Sequence, residues 1–174
     1  MTKIKIHRPV VPESANRRPH APITIEVFGK PQPAGSKRSL VPVDRHGEPY
    51  RKAGRIVVST VDDNPRAKDW QRIVADAAAR TCTGPPLTGP LSVSMTFFRT
   101  RPKSHYGSGR NSGVLKASAP AHPTNRPDLL KLARAVEDAL TGIVWCDDAQ
   151  VVIESLQKKW DEKPGVSIAV LPLS

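Results

Sequence analysis

The sequence predicts an α+β domain, a small mixed sheet packed by two main helices. Three observations support this. Apolar residues alternate in ITIEVFG (23–29) and LSVSMTFF (91–98), the two-residue period of a half-buried strand. In two other segments they recur at spacings of three and four, as on one face of a helix. The order along the 174 residues is mostly strand with two helices, and no repeat period appears, so one core shared by both element types is expected.

Taken in order, residues 1–21 carry Lys3, Lys5, Arg8, Arg17 and Arg18 against the single acid Glu13. They have scattered prolines and no period, the composition of a disordered basic tail. The domain itself is expected over 22–174. After the strand at 23–29 comes a Pro/Gly/basic loop, KPQPAGSKR (30–38). A hairpin of LVPV (40–43) and RIVVST (55–60) is expected next, turning at His46-Gly47. Asn64 before Pro65 is an N-cap signal. The helix that follows, through AKDWQRIVADAAAR, turns Trp70, Ile73, Val74 and Ala77 to one side. Residues Gly84 to Pro90 break it before the strand at 91–98. A second helix spans about Pro127 to Leu140 and ends at Thr141-Gly142. Strands at 151–159 and 166–173 close the chain, joined by a turn at Lys163-Pro164-Gly165.

Charge narrows the function classes. Lys and Arg total 27 against 16 acids, a net charge of +11 and a pI near 10.1. Such an excess favours a polyanionic partner, nucleic acid first. An anionic membrane surface would call for a basic amphipathic helix, and none is found. No apolar run is long enough to span a bilayer, and the first residues lack a signal-peptide core. Cys82 and Cys146 each stand alone, which argues against a zinc site and against a disulfide framework, and for a reducing cytosol.

Chemistry is concentrated in the second half. The stretch from Arg99 to Arg126 has no periodicity and many Gly, Ser and Pro residues. It holds Arg99, Arg101, Lys103, Arg110, Lys116 and Arg126 and no acid at all. A loop of that length inside a domain is functional or disordered. Immediately afterwards, eight of the sixteen acids fall between Asp128 and Glu162. Phosphodiester cleavage needs both features: cations that bring the polyanion close, and carboxylates that hold a hard divalent ion and so reverse the local sign.

On the second helix Asp128, Lys131, Arg134 and Asp138 share a polar stripe opposite Leu129, Leu132, Val136 and Leu140. From spacing alone a solvated face of spaced ion pairs is the better account of that stripe, and Asp128 is favoured at a helix N-terminus by the dipole alone. Asp147-Asp148 adds more. Two adjacent carboxylates between the apolar GIVW and VVI are costly unless a cation sits with them. With Asp128 and the basic loop, a metal site accounts for them better than a solvated turn.

The block PDLLKLARAVEDALTGIVWCDDAQV (127–151) resembles the signature of the RusA family of Holliday junction resolvases. There a Pro-Asp opens a helix, basic residues follow, Asp-Ala-Leu closes it, and Asp-Asp-x-Gln-Val comes next. VFGKPQPAGSKR is similar to the family's N-terminal segment, the helix around Lys68-Asp69-Trp70 falls where the family has one, and RPKSHYGSGRNSGVLK looks like an insertion common in phage members. The resemblance covers roughly residues 23–172.

What it implies is a divalent-metal-dependent endodeoxyribonuclease, with Mg²⁺ or Mn²⁺ as cofactor. The substrate would be a four-way DNA junction cut by paired nicks in recombination and repair, by a homodimer in the cytosol of a bacterium or phage-infected host. By the resemblance, Asp128 and Asp148 are metal ligands and Asp147 a further ligand or orienting group. Arg134, with Lys131 one turn earlier, meets the scissile phosphate. Lys37, Arg38 and the six basic residues of the 99–126 loop are expected to grip backbone phosphates, while His105 and Tyr106 are candidates for stacking on an unpaired base. One departure stands out. The family often has a second aspartate two residues after the first, and this chain has Leu130 there. Asp138 lies about 15 Å along the helix from Asp128, too far to ligate the same ion. Glu137 lies two turns on from position 130 and is a similarly strained substitute, so Asp147 is expected to complete the set, ahead of a weaker metal affinity and then of an impaired enzyme. The alternatives are a catalytically impaired nucleic-acid-binding protein of the same fold, and a nuclease acting on flaps or single strands.

Overall fold

Alternation along each strand decides which face of the sheet is covered. The computed structural model describes residues 21–35, 37–62 and 64–173. In chain order the elements are β1 (Ile23–Phe28), β2 (Lys37–Leu40), β3 (Arg51–Lys52), β4 (Arg55–Ile56), β5 (Ser59–Asp62), α1 (Pro65–Thr81), β6 (Leu91–Arg99), α2 (Leu129–Leu140), β7 (Val151–Trp160) and β8 (Gly165–Pro172). Four of the strands make the central sheet in the order β1-β8-β6-β7. Only the β6–β7 pairing is parallel, because the chain between them crosses over through α2. This is the mixed sheet with two helices that the sequence predicts.

One face of that sheet carries Ile25, Val27, Leu91, Val93, Met95, Phe97, Val166, Ile168 and Val170, all buried. Both helices pack on it. From α1 come Ala67, Trp70, Val74, Ala77 and Ala78, and from α2 Leu132, Ala133, Ala135, Val136, Ala139 and Leu140. Ile73, expected on the buried side of α1, is 41% exposed; Ala77 and Ala78 fill the contact instead. The opposite face is polar and open, with Ser167 donating to Glu26 (2.6 Å) and Gln157 to Thr96 (2.8 Å). At its Asn64 N-cap α1 follows the sequence, since the side chain accepts from the Arg66 amide.

The expected hairpin is partly corrected. The turn at His46-Gly47 forms, with Asp44 accepting from the His46 and Glu48 amides. The strands flanking it, however, pair as β2 with β5, and β3 with β4 makes a second, shorter hairpin. Leu40, Val41, Val43, Ile56 and Val58 are all exposed, so no buried face fixes the register there. The basic tail expected over 1–21 lies, but for Ala21, outside the described residues. Among the described residues no helix is long and apolar enough to cross a membrane.

Candidate functional site

Helix α2 and strand β7 run in opposite directions beside each other, and the two ends of this pair differ in charge. At the N-terminal end of α2, Asp128 is the N-cap residue by backbone conformation, yet its carboxylate makes no capping hydrogen bond. Beside it stands Lys158 of β7, whose Nζ donates to the carbonyls of Asn125 (3.2 Å) and Pro127 (3.1 Å). Burial and the neighbouring Arg99 push the Lys158 ammonium below its ordinary range, and Asp128 pulls the other way. Arg99 donates to the carbonyls of Asn125 (3.2 Å) and Arg126 (2.8 Å) and to the Asn125 side chain (2.8 Å). Burial lowers its pKa as well.

Asp128 and Arg99 border a cleft of about 770 Å³ lined also by Lys30, Gln32, Arg126 and Lys131, with prolines 31, 33, 127 and 164 as apolar walls. A hydrogen bond from the Ala34 amide to the Lys131 carbonyl (2.8 Å) holds the loop after β1 against α2. One carboxylate among four cations makes this end a receptor for anions.

Toward the C-terminal end of α2 the sign reverses. Glu137 faces Glu154 of β7, and its carboxyl is pushed up to about 7, first by burial and then by Glu154, Asp148 and Asp138. Burial also raises Glu154, while the hydrogen bond with Glu137 opposes the shift. No ion pair within the described residues joins these four acids to a lysine or arginine. Asp138 turns to the other side and accepts from Gln71 of α1 (3.4 Å).

Asp147 and Asp148 begin a single 3-10 turn before β7. Asp147 is a turn residue: one oxygen accepts from the Ala149 amide (2.9 Å) in a reciprocal cap with Gln150. Gln150 braces the turn. Its Oε1 accepts from the Cys146 and Asp147 amides (2.9 Å each), and its Nε2 donates to the carbonyls of Leu87 (3.0 Å) and Gly89 (2.9 Å). Asp148 is exposed beside the acidic group.

The three aspartates named from the sequence therefore do not meet within one chain. Among the described residues no group of three or more His, Cys, Asp or Glu side chains is arranged to hold a metal ion. The physical reason is the crossover. Asp128 starts α2, Asp148 follows its far end, and the nine helical steps from 128 to 137 extend about 13 Å. Arg134 lies between the two ends, exposed and without a hydrogen bond or ion pair among the described residues. Leu130 is 72% exposed on the same helix.

The basic loop divides into two classes. Arg99, Arg101 and Lys116 donate to loop carbonyls, so part of their role is to order the loop. Lys103, Arg110 and Arg126 make no such bond among the described residues and remain open to solvent. His105 packs edge-on to Trp160, ring centres 5.3 Å apart, and Tyr106 bridges to Leu115. Both are half-buried, so neither is presented as a free stacking platform. The side chains of Lys37 and Arg38 lie outside the described residues.

Sequence reasoning missed Glu154 and Lys158. Their signal is parity: Val93, Met95 and Phe97 of β6 oppose Glu154, Leu156 and Lys158, so two charged side chains point to the helix-covered face. An irregularity between Leu91 and Ser92 in the pairing with β7 sets that parity, and it breaks the alternation that would have given them away.

Comparison with known proteins agrees with this architecture. The model of a family described as "Endodeoxyribonuclease RusA" matches residues 40–171. A relative, "Uncharacterized protein YqaN" of Bacillus subtilis (strain 168), is 26% identical over 152 residues, covering 87% of this chain and 97% of the relative.

Proposed function

The chain belongs to the RusA endodeoxyribonuclease family, and from that membership we propose a structure-selective nuclease that resolves four-way DNA junctions by paired nicks, with Mg²⁺ or Mn²⁺ as its cofactor. The observation that carries this reading is the polarity of the α2–β7 edge. One end holds Asp128 in a cationic cleft, and the other holds unneutralised carboxylates around Asp148. Hard oxygen donors without basic partners among the described residues fit a divalent cation, which a proton on Glu137 partly replaces.

Because Asp128 and Asp148 lie at opposite ends of α2, the reading assigns them to one ion from two copies of the chain. A two-fold axis that sets the two α2 helices antiparallel brings the Asp128 end of each copy beside the acidic end of the other. The charge is complementary in that arrangement. Leu130 (72% exposed) and Val152 at the start of the edge strand (60% exposed) are the apolar surface it would cover. Two such centres related by symmetry suit a substrate with two-fold symmetry and two strands to cut.

The ion, when bound, supplies a polarised phosphate and an attacking water of lowered pKa. Asp128 and Asp148 of the partner subunit would hold it, and Asp147, by closing the turn with Gln150, would orient Asp148. Arg134 and Lys131 offset charge that builds on the phosphoryl oxygens. Lys30, Arg99 and Arg126 draw the strand into the cleft by its phosphates, without reading bases. Asp128→Asn and Asp148→Asn should each lower junction cleavage by roughly 100-fold or more and leave junction binding in EDTA unchanged.

A second reading has one observation behind it. Leu130 in place of a carboxylate, with no three-acid group among the described residues of a single chain, favours a protein of this fold that binds junctions and does not cut them. Incubation with synthetic four-way junctions, flaps and linear duplexes in Mg²⁺, Mn²⁺ or EDTA decides between them. Symmetric nicks in opposing strands of the junction, dependent on metal and absent from flaps, are the expected result. Binding without nicking in either metal would overturn the nuclease reading, and preferred cutting of flaps would reassign its substrate.

A further inference from the structure

The segment between β6 and α2 contains a built feature that neither the cleft nor the acidic end uses. Its base is a latch on Trp160, the last residue of β7. The Arg101 guanidinium lies over the indole, 5.3 Å from the ring centre, and also donates to the Pro120 carbonyl (3.0 Å). The Trp160 Nε1 donates to that same carbonyl (3.1 Å), and the His105 ring meets the indole edge-on. Beyond the latch the chain doubles back as a small hairpin. The Lys116 amide donates to the His105 carbonyl (2.9 Å), the Gly107 amide to Val114 (2.9 Å), and the Val114 amide to Asn111 (2.9 Å). Gly107 is required there, because a Cβ would lie 2.6 Å from the Asn111 carbonyl oxygen.

This ordered hairpin holds apolar side chains out in solvent. Val114 is 60% and Leu115 44% exposed. Lys103 and Arg110 of the same segment are exposed and make no side-chain hydrogen bond or ion pair among the described residues, and no acid occurs from Arg99 to Arg126. Ordering a segment of this length costs conformational entropy, and keeping Val and Leu in water forgoes their burial. A partner that recovers both terms has apolar surface next to dense negative charge. The faces of unstacked bases beside their phosphates are such a surface.

We propose that residues 110–115 form a wedge that enters DNA at an opened base step, Val114 and Leu115 against base faces and Arg110 and Lys103 at the flanking phosphates. The wedge rests on the proposed junction substrate for the identity of that step, the branch point. The Trp160 latch fixes its direction from the same end of β6 and β7 that borders the cleft.

The experiment uses the full-length protein and a four-way junction carrying 2-aminopurine at the branch point, in EDTA so that no strand is cut. Wild type should raise the fluorescence as the base unstacks. The double variant Val114→Ser/Leu115→Ser should lose most of that rise and bind the junction about tenfold more weakly. Its affinity for linear duplex, its salt dependence and its melting temperature should stay those of wild type. Val114→Phe, which keeps the wedge apolar, should retain the signal. Full unstacking by the serine variant would overturn the proposal, and so would an equal loss of affinity for duplex and junction. Nicking of the junction in Mg²⁺ is measured in parallel. A protein that nicks but unstacks equally with serines refutes the wedge alone, whereas one that unstacks through the wedge but never nicks refutes the nuclease reading alone.

Discussion

Glu137 carries the most informative single side chain in the molecule. Its carboxyl, ordinarily near 4.5, is raised to about 7 in the fold. Between those values the folded chain keeps a proton that the unfolded chain releases. The group therefore favours the folded state fully below about 4.5, and that contribution is lost as pH rises through about 7. In EDTA, wild type should lose melting temperature from pH 5 to pH 8 relative to Glu137→Gln, which cannot ionise. Saturating Mg²⁺ or Mn²⁺ should recover more of it at pH 8 than at pH 5, because the ion replaces the proton. Differential scanning fluorimetry of the two proteins across that range checks this. Parallel curves for wild type and Glu137→Gln would mean that the crowding of carboxylates has no thermodynamic weight.

At the level of elements, the basic loop is two devices in one segment. Arg99 and Arg101 order it through carbonyls and through Trp160, whereas the side chains of Lys103 and Arg110 have no hydrogen bond or ion pair among the described residues. Replacing Lys103 and Arg110 by alanine should flatten the salt dependence of duplex binding by about 0.9 log units per lost phosphate contact, at unchanged melting temperature. Arg101→Ala should instead cost about 1 kcal/mol of stability through the lost stacking and hydrogen bond. Salt titrations and melting curves of the two variants separate the roles; a swap of the two outcomes would reverse them. The sequence could not make this division, because a run of cations reads the same whether or not a carbonyl lies within reach. Strands β1 and β6 and both helices, by contrast, were legible from their periodicity, since each buries one face on a common core. The ribbon from β2 to β5 was not, as its exposed Val41, Val43 and Val58 leave alternation nothing to encode.

For the whole molecule, topology governs the candidate site. Asp128, Arg134, Asp147 and Asp148 could be picked out by residue type and by the spacing of a helix and a following turn. Their separation could not, because it follows from β6, α2 and β7 forming a parallel crossover. That connection sends the chain back along the full length of α2 before Asp147 is reached. Lys158 and Glu154, hidden by the shift in strand parity, give the two ends their opposite character. In the proposed dimer each centre draws one aspartate from either copy, so a single copy would hold only half of each.

Mixing two inactive variants tests this most directly. Asp128→Asn and Asp148→Asn, each alone without cleavage, are combined under conditions that exchange subunits and are given a four-way junction with Mg²⁺. In a mixed dimer one centre inherits both substitutions and the other inherits neither. Single-strand nicking should therefore return in the mixture, without paired cuts by the same dimer. If the mixture stays as inactive as its components while the subunits demonstrably exchange, the two aspartates do not act across a dimer.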